Sequence, residues 1–142
     1  MEFLIVEHGS EQYHSAVDLR DRILRKPLGL QFTPEQLASE STYMHLVGTI
    51  DDQICACCIL VQSNDGWFQA RQVAVDSNFQ RQGFGKRLME YCHQHILACG
   101  SEKIFCHARK TAQKFYEGLE YQTVGEYFEE VTLQHIRMEK RL

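Results

Sequence analysis

A short glycine-containing segment has the residue types and spacing of an anion-binding loop. It reads Gln80, Arg81, Gln82, Gly83, Phe84, Gly85 and Lys86. An apolar run at residues 73–75 precedes it and an amphipathic run at residues 88–97 follows it, which predicts a strand, a tight turn and a helix. The first amides of such a helix lack helical partners and point along the positive end of its dipole. Together with the charges of Arg81 and Lys86, they predict a diphosphate-binding site.

The glycines narrow the type of loop. A Cβ at Gly83 or Gly85 would hold phosphates away from the amides, so both positions are expected to require glycine. The nucleoside triphosphatase pattern G-x-x-x-x-G-K-[ST] fails because Arg87 follows Lys86. The dinucleotide pattern G-x-G-x-x-G fails because Leu88 stands at the third glycine position. The pattern that remains is Q-x-x-G-x-G followed by a basic residue.

This remaining pattern resembles the acyl-CoA-binding signature [RQ]-x-x-G-x-[GA] of the GNAT acetyltransferase superfamily. A second segment, residues 112–121, resembles the superfamily's A-x-x-F-Y-x-x-x-G-[FY] motif, with Glu120 in place of the glycine. The left-handed turn that ends this helix is therefore expected at Gly118. Residues 19–30 and 134–138 are similar to a small bacterial ElaA-like branch of the superfamily.

The resemblance implies an acetyl-CoA-dependent N-acetyltransferase that moves an acetyl group to a primary amine by direct attack in a ternary complex. It implies that residues 80–86 hold the diphosphate of this co-substrate and that Tyr116 lies near the thioester sulfur, where it protonates the departing thiolate. Many members have an asparagine at the position of Arg109, so Arg109 is assigned to the cofactor arm. Backbone groups of the strand end are expected to contact the same arm, at Val73, Ala74 and Val75.

The attacking amine must be neutral, and a lysine-like amine is less than about 1% neutral at pH 7, so a base or an ordered water must take its proton. Some family members have a glutamate on the strand that ends here at Val75, but this strand has no carboxylate. Histidine ordinarily changes charge between pH 5 and 8. His107 is the first candidate for the catalytic base and His135 the second. Either histidine alone also fits a polar position at a strand end.

By the same resemblance, residues 19–30 cover the acceptor site. Arg22 and Arg25 share a face at helical spacing and are predicted to meet an acidic group of the acceptor, whereas Arg20 lies elsewhere. The other interpretation of these arginines is a solvated helix face. His135 is likewise assigned to the acceptor. A small-molecule or peptide amine is expected as the acceptor.

The elements that must position these groups follow in the order βααβββαβαββ. Strands are predicted at residues 3–6, 45–50, 54–62, 67–75, 104–106, 121–127 and 133–138, and helices at 10–24, from 33, 84–98 and 111–119. Three hairpin strands before one helical crossover predict an α+β fold with a mixed, mostly antiparallel sheet of about seven strands and flanking helices. This order is that of the GNAT fold, which implies one acyltransferase domain at residues 1–142.

Composition limits the classes of partner. The chain has 142 residues and a net charge of −4, which argues against a nucleic-acid-binding surface. No apolar run approaches the roughly 20 residues of a membrane span, and residues 1–10 do not resemble a signal peptide, so a cytoplasmic protein without a membrane partner is expected. On a strand, Cys57 and Cys58 point to opposite faces, so no metal site is expected. Exposed strand edges allow a homodimer.

Two other classes of function stay open. A catalytically silent acyl-CoA-binding or sensing module would keep the glycine loop and bind no acceptor. The absence of the strand glutamate and of the family asparagine is compatible with that module. In the other interpretation, the loop is only a structural turn in an unrelated α+β interaction protein.

Overall fold

A seven-stranded mixed sheet organises the chain, and the computed structural model describes all of residues 1–142. The strands are β1 (Glu2–Val6), β2 (Met44–Ile50), β3 (Gln53–Gln62), β4 (Trp67–Val75), β5 (Lys103–Arg109), β6 (Gln122–Glu130) and β7 (Leu133–Arg141). Their spatial order is β1-β2-β3-β4-β5-β7-β6. All neighbours are antiparallel except β4 and β5, which are parallel. The predicted fold class, a mixed and mostly antiparallel sheet, is confirmed.

Four α-helices flank the sheet. They are α1 (Glu11–Arg20), α2 (Pro34–Ala38), α3 (Phe84–Ala98) and α4 (Gln113–Gly118). The predicted helix starts are confirmed at two caps, since the Ser10 hydroxyl accepts from the amide of Tyr13 at 3.1 Å and Thr33 forms a capping box with Gln36. The element order is βααβββαβαββ, as predicted. No helix in the chain combines the length and apolar character needed to span a membrane.

The first helix is less regular than predicted. The sequence pattern indicated one helix through Leu24, but the α-helical hydrogen bonds end at Arg20 and residues Asp21–Arg25 form a wider π-helical turn. This turn changes the angular spacing of its side chains, so Arg22 and Arg25 no longer share a face. Turns of this kind are frequent at functional sites.

Two hydrophobic cores lie on opposite faces of the sheet. The larger core packs α3 and α4 against the strands, and the smaller core lies under α1. Cys57 belongs to the smaller core and Cys58 to the larger, as strand alternation predicts. The sheet therefore separates two chemically different sides, and access from one side to the other requires a break between strands.

One buried position on α3 differs from the prediction. Leu97, the last apolar residue of the predicted amphipathic run at residues 88–97, is 51% exposed, whereas His93 is buried one turn after Met89. The Nε2 atom of His93 lies 2.6 Å from the hydroxyl of Tyr121. Burial, and secondarily the charge of Lys140, lowers the pKa of His93 to about 4. A neutral histidine thus takes part in the larger core at pH 7.

Candidate active site

The parallel strands β4 and β5 separate part of the way along their length. They pair from Trp67–Lys103 to Ala70–Cys106, and residues 71–75 of β4 then pair only with β3. At Gln72 the backbone adopts a φ of 53°, and the β3–β4 register shifts nearby, which marks a β-bulge. Bulges are frequent beside active sites because they redirect the strand. The β5-facing edge of residues 71–75 is consequently available to a ligand.

A cleft of about 440 Å³ opens where the two strands separate. Its two walls correspond to the two faces of the sheet. The apolar wall, on the side of α4, comprises Cys106, Ala108, Ala112 and Tyr116, and the charged wall, on the opposite face, comprises Arg25, Arg71, His107, Arg109, Glu130 and His135. The predicted catalytic residues Tyr116 and His107 therefore line the same cleft from opposite walls.

The predicted diphosphate loop lies between the end of β4 and the start of α3. Gly83 is the N-cap of α3 with φ of 83°, and no side chain caps the helix. The amides of its first turn, at Phe84, Gly85 and Lys86, therefore have no side-chain partner and can bind an anion. A diphosphate fits this loop because its donors are uncapped amides at the positive end of a 15-residue helix.

Two glutamines of the loop stabilise its shape. The side chain of Gln80 donates to the carbonyl of Val75 at 2.9 Å, and that of Gln82 donates to the carbonyl of Asn78 at 3.1 Å. Gln80 therefore ties the loop to the end of β4. Arg81 adopts φ of 62° and is exposed beside the uncapped amides, where its charge can assist an anion.

Gly85 has a packing reason to be glycine in addition to the predicted one. A Cβ at this position would lie 3.2 Å from the ring of Phe115 on α4 and 3.6 Å from Val75. At Gly83 the reason is conformational, because the backbone is left-handed and the space around a Cβ would be open. The two glycines thus serve different purposes in one loop.

The apolar wall keeps its ionisable groups neutral. Tyr116 is 5% exposed, and burial, followed by the neighbouring Cys106, raises its pKa well above the ordinary value. Burial also raises the pKa of Cys106 to about 12, with the Tyr116 hydroxyl offsetting part of that rise. A neutral phenol facing a cleft can donate a proton and does not lose it to solvent at pH 7.

On the charged wall, Glu130 lies between the two histidines that the sequence identified. Its carboxylate is 3.4 Å from Nδ1 of His107 and 3.9 Å from Nε2 of His135. The Nδ1 atom of His135 lies 2.9 Å from the carbonyl of Leu133, which fixes the ring. The structure thus supplies a carboxylate in the cleft that the sequence analysis sought only on β4.

Glu130 was missed because the hairpin that carries it has an unusual turn. The β6–β7 connection consists of Val131 and Thr132, with φ of 50° and 65°. Left-handed β-branched residues are rare, and such turns are usually identified by Asn-Gly or Asp-Gly, which this sequence lacks here. Nothing in the sequence therefore predicted the turn. The predicted strand ended at Tyr127, whereas β6 continues to Glu130. Strain of this kind concentrates at functional sites.

The arginines assigned to ligands have different positions. Arg25 lines the charged wall, with its guanidinium 4.6 Å from the centre of the Phe32 ring. Arg22 does not line the cleft, and it pairs with Asp76 at 3.2 Å instead.

Arg109 lines the cleft and donates to the carbonyl of Leu24 at 2.9 Å, which ties β5 to the π-helical turn. Arg20 is buried and paired with Glu40.

The turn after α4 corrects one sequence prediction. The left-handed residue is Glu120, with φ of 68°, and Gly118 is the last residue of α4 without a positive φ. Glu120, at the position of the motif's glycine, therefore adopts a left-handed conformation that glycine takes more readily than glutamate. The left-handed turn therefore forms at Glu120 even though a side chain in this conformation lowers the free energy of unfolding.

Comparisons with known proteins agree with this architecture. Residues 19–142 match the family model described as the acetyltransferase (GNAT) domain. ElaA of Escherichia coli has a TM-score of 0.85 at 18% identity, over 99% of this chain and 100% of that chain. An acyl-CoA N-acyltransferase from Pseudomonas aeruginosa has a TM-score of 0.81 at 19% identity, over 98% of each chain.

A third solved structure, an aminoglycoside 6'-N-acetyltransferase complexed with coenzyme A, has a TM-score of 0.83 at 14% identity, over 99% of this chain and 97% of that chain. At such identities the structures show a shared fold, and the family model carries the assignment. The matched residues 19–142 include the glycine loop, the separated strands and every side chain of both walls. The chain belongs to the GNAT acetyltransferase family.

Proposed function

We propose that residues 1–142 form one acyltransferase domain that moves an acetyl group from acetyl-CoA to a primary amine by direct attack in a ternary complex. One observation carries the proposal. The neutral phenol of Tyr116 and the pair of His107 and Glu130 face each other across one cleft, at the separation of β4 and β5. A proton donor and a proton acceptor on opposite walls are what acyl transfer to an amine requires.

Acetyl-CoA supplies an activated acetyl group on a thioester and accepts a proton on sulfur when it leaves. The uncapped amides of residues 83–86 and the charges of Arg81 and Lys86 would hold its diphosphate. The unpaired edge of β4, at Val73, Ala74 and Val75, would hold the pantetheine arm through backbone groups. The presence of coenzyme A in a neighbour of the same fold supports this assignment.

Tyr116 would act as the general acid. Burial raises the pKa of its hydroxyl, so the phenol is protonated at pH 7. A thiolate that forms against the apolar wall has little water to solvate it, which makes transfer of the phenolic proton to sulfur more favourable. The neighbouring Cys106 stays a neutral thiol because burial raises its pKa to about 12.

His107 would act as the general base, with Glu130 as a positioning residue. The Glu130 carboxylate at 3.4 Å from Nδ1 favours the tautomer in which this nitrogen carries the proton, leaving Nε2 to accept one. It also stabilises the imidazolium that forms when the amine loses its proton. His135, on the other side of Glu130, would line the acceptor.

A silent acyl-CoA-binding module is the second candidate. The observation that favours it is Arg109, which stands in place of the family asparagine and is bound to the carbonyl of Leu24. Such a module would bind acetyl-CoA with no turnover. The two functions therefore share the loop and differ in the charged wall.

The test begins with calorimetric titration of acetyl-CoA into the wild type and the Gly83→Glu variant. The new carboxylate should repel the diphosphate and strain a backbone at φ of 83°, so we expect binding to weaken by at least about 100-fold. Gly66→Glu is the matched control, because Gly66 has φ of 86° and similarly open space but lies in the β3–β4 hairpin. Equal binding by wild type and Gly83→Glu would overturn the proposal.

Release of free thiol from acetyl-CoA, measured against a panel of primary amines, then separates the two candidates. Turnover supports the acyltransferase. Binding without turnover on any amine supports the silent module.

A further inference from the structure

The charged wall carries more positive charge than the proposed reaction needs. Three arginines, Arg25, Arg71 and Arg109, line the cleft against the single carboxylate of Glu130, in a chain whose net charge is −4. None of these three guanidinium groups has an acidic partner within 4 Å, since every ion pair in the chain involves other residues. A cluster of cations without counter-ions in a cleft indicates a site for an anion.

The contacts of the arginines distinguish two of them from the third. Arg109 is committed to the carbonyl of Leu24. Arg71 donates through Nε to the side-chain oxygen of Gln69 at 2.8 Å, which leaves its terminal nitrogens available. The guanidinium carbon of Arg25 lies 4.6 Å from the centre of the Phe32 ring, a contact that leaves its N–H donors available. Arg25 and Arg71 are therefore the two with donors to offer a planar anion.

A second, smaller cavity also supports Arg25 and Arg71 as the pair that binds the anion. It measures about 130 Å³ and shares Arg25, Arg71 and Gln72 with the main cleft. Both guanidinium groups thus border both cavities, and the Glu40 carboxylate at the smaller one is already paired with Arg20. An acceptor whose amine lies at His107 would direct its other end towards these arginines.

Acetyl-CoA does not account for the charges. Its diphosphate is assigned to the loop at residues 80–86, and no residue of that loop lines the cleft. Its other charged group, the ribose 3'-phosphate, lies on the adenosine side of the diphosphate, away from the thioester, and the thioester and the acetyl group are uncharged. The anion must then belong to the acceptor.

On the basis of the proposed acyltransferase function, we infer that the acceptor is a small amine that also carries a carboxylate, as in an amino acid. The carboxylate lies between Arg25 and Arg71, and the amine lies at Nε2 of His107, which takes its proton. This arrangement selects zwitterionic acceptors and disfavours polyamines, whose second cation would meet the arginines. Substrate class is therefore set by the side of the cleft opposite Tyr116.

The experiment compares ω-amino acids of two to five carbons between amine and carboxylate with their primary amides, which differ only in the charge. Thiol release from acetyl-CoA gives kcat/KM for each. We expect wild type to prefer acid over amide by about 10- to 100-fold at the best chain length, the range of a charge-assisted hydrogen bond. Arg25→Gln should reduce this ratio several-fold, since only Arg71 remains to bind the carboxylate, and Arg25→Lys should retain more of it.

Arg141→Gln is the control, since Arg141 is exposed at the end of β7 and outside both cavities. It should keep the wild-type ratio. Equal kcat/KM for acid and amide in wild type would overturn the inference, as would an unchanged ratio in Arg25→Gln. Melting temperatures show whether the variants are folded.

If no probe is turned over, calorimetry on the coenzyme A-bound protein decides. Tighter binding of the acid than of the amide, reduced in Arg25→Gln, supports the inference, and the absence of any difference overturns it. Failure of acetyl-CoA binding itself would instead overturn the proposed function, so the two failures are distinguishable.

Discussion

The two walls of the cleft differ in how they control protonation. The apolar wall does so by burial, which keeps Tyr116 and Cys106 neutral, with pKa values raised above their ordinary range. The charged wall instead holds its groups in contact with one another, as His107 Nδ1 and the Glu130 carboxylate are at 3.4 Å. A proton donor is thus placed where water is excluded, and a proton acceptor where charge can be stabilised. The difference indicates that one break in a sheet can supply both environments.

The walls also differ in how their residues are arranged along the chain. The apolar wall uses β5 and the adjoining α4, residues 103–118, in one contiguous segment. The charged wall combines a π-helical turn, two strands and a hairpin tip that are more than 100 residues apart at their extremes. A variant of the apolar wall should therefore affect the proton transfer to the leaving thiolate, whereas variants of the charged wall should affect either deprotonation of the amine, at His107, or acceptor use, at Arg25 and Arg71.

The largest effect is expected for Tyr116→Phe. Removing the hydroxyl removes the proton donor to the leaving thiolate, so kcat should fall by about 10²- to 10⁴-fold, the usual contribution of a general acid. The dissociation constant of acetyl-CoA should change by less than about threefold, because the ring remains. Single-turnover kinetics and calorimetry measure the two quantities.

The matched control is Tyr127→Phe. Tyr127 is 43% exposed, and its hydroxyl donates to the side chain of Gln113 outside the cleft. It should keep the wild-type kcat. A Tyr116→Phe variant with wild-type kcat would remove the proton-donor role and would weaken the contrast between the walls.

The next effect concerns the core behind the apolar wall. The pKa of His93 is lowered to about 4 when folded, mainly by burial, whereas an unfolded histidine titrates near 6.5. The unfolded chain therefore binds this proton first as the pH falls. The contribution of neutral His93 is fully present above about pH 6.5 and is lost between pH 6.5 and 4, which amounts to about 3 kcal/mol.

Urea unfolding at several pH values measures this loss. In His93→Gln the side chain can still hydrogen-bond Tyr121 but does not titrate, so its stability should fall by about 3 kcal/mol less than that of wild type over the same pH range. His14→Gln, at an exposed position of α1, should keep the wild-type slope. Parallel pH curves for wild type and His93→Gln would show that this core tolerates a charged imidazole.

A smaller effect is expected on the charged wall from Glu130→Gln. The contact with His107 is 3.4 Å long and the carboxylate is 43% exposed, so its loss should lower kcat/KM for the acceptor by about 10-fold, the low end for a bond to a charged group. Binding of acetyl-CoA should not change.

Glu129→Gln is the control, since Glu129 is the exposed neighbour on β6 and does not line the cleft. The double variant with His107→Gln should be no worse than His107→Gln alone, because the two residues act as a unit. Additive losses would mean that Glu130 acts without His107.

The diphosphate loop and the charged wall differ in how well the sequence predicts them. The loop at residues 80–86 depends on local backbone chemistry, namely a left-handed glycine and an uncapped helix, and contiguous residues reveal such features. The order of the elements followed from hydrophobic periodicity and from caps such as Ser10 and Thr33. Both were predictable because each depends on neighbours in the chain.

The charged wall depends on residues that the sequence does not connect. Glu130 reaches His107 through a tight turn at Val131 and Thr132. The sequence of this turn has no turn signature, so the contact could not be predicted. Arg25 reaches the cleft, and Arg22 does not, because a π-helical turn replaces the predicted α-helix. Periodicity assumes regular elements, so it fails where a bulge or a wide turn redirects a side chain.

The smallest effect is expected at Glu120, which replaces the glycine of the family motif after α4. Glu120 holds φ of 68° at an exposed position, where a side chain costs about 1 kcal/mol relative to glycine. Glu120→Gly should therefore stabilise the chain by about 1 kcal/mol and raise Tm by about 3 °C. Because Glu120 is exposed and does not line the cleft, kcat should stay at the wild-type value.

Gly118→Ala is the complementary change. Gly118 ends α4 without a positive φ, and nothing lies within 4 Å of the Cβ that alanine would add. Alanine there should stabilise the helix by about 0.5–1 kcal/mol. If Gly118 instead supplied the left-handed turn, as the sequence suggested, alanine would destabilise the chain and glycine at position 120 would have no effect. Calorimetric melting of the two variants thus decides whether Glu120 or Gly118 supplies the left-handed turn. The Gly118→Ala change is decisive even at this size, because it should raise the stability if Glu120 supplies the turn and lower it if Gly118 does.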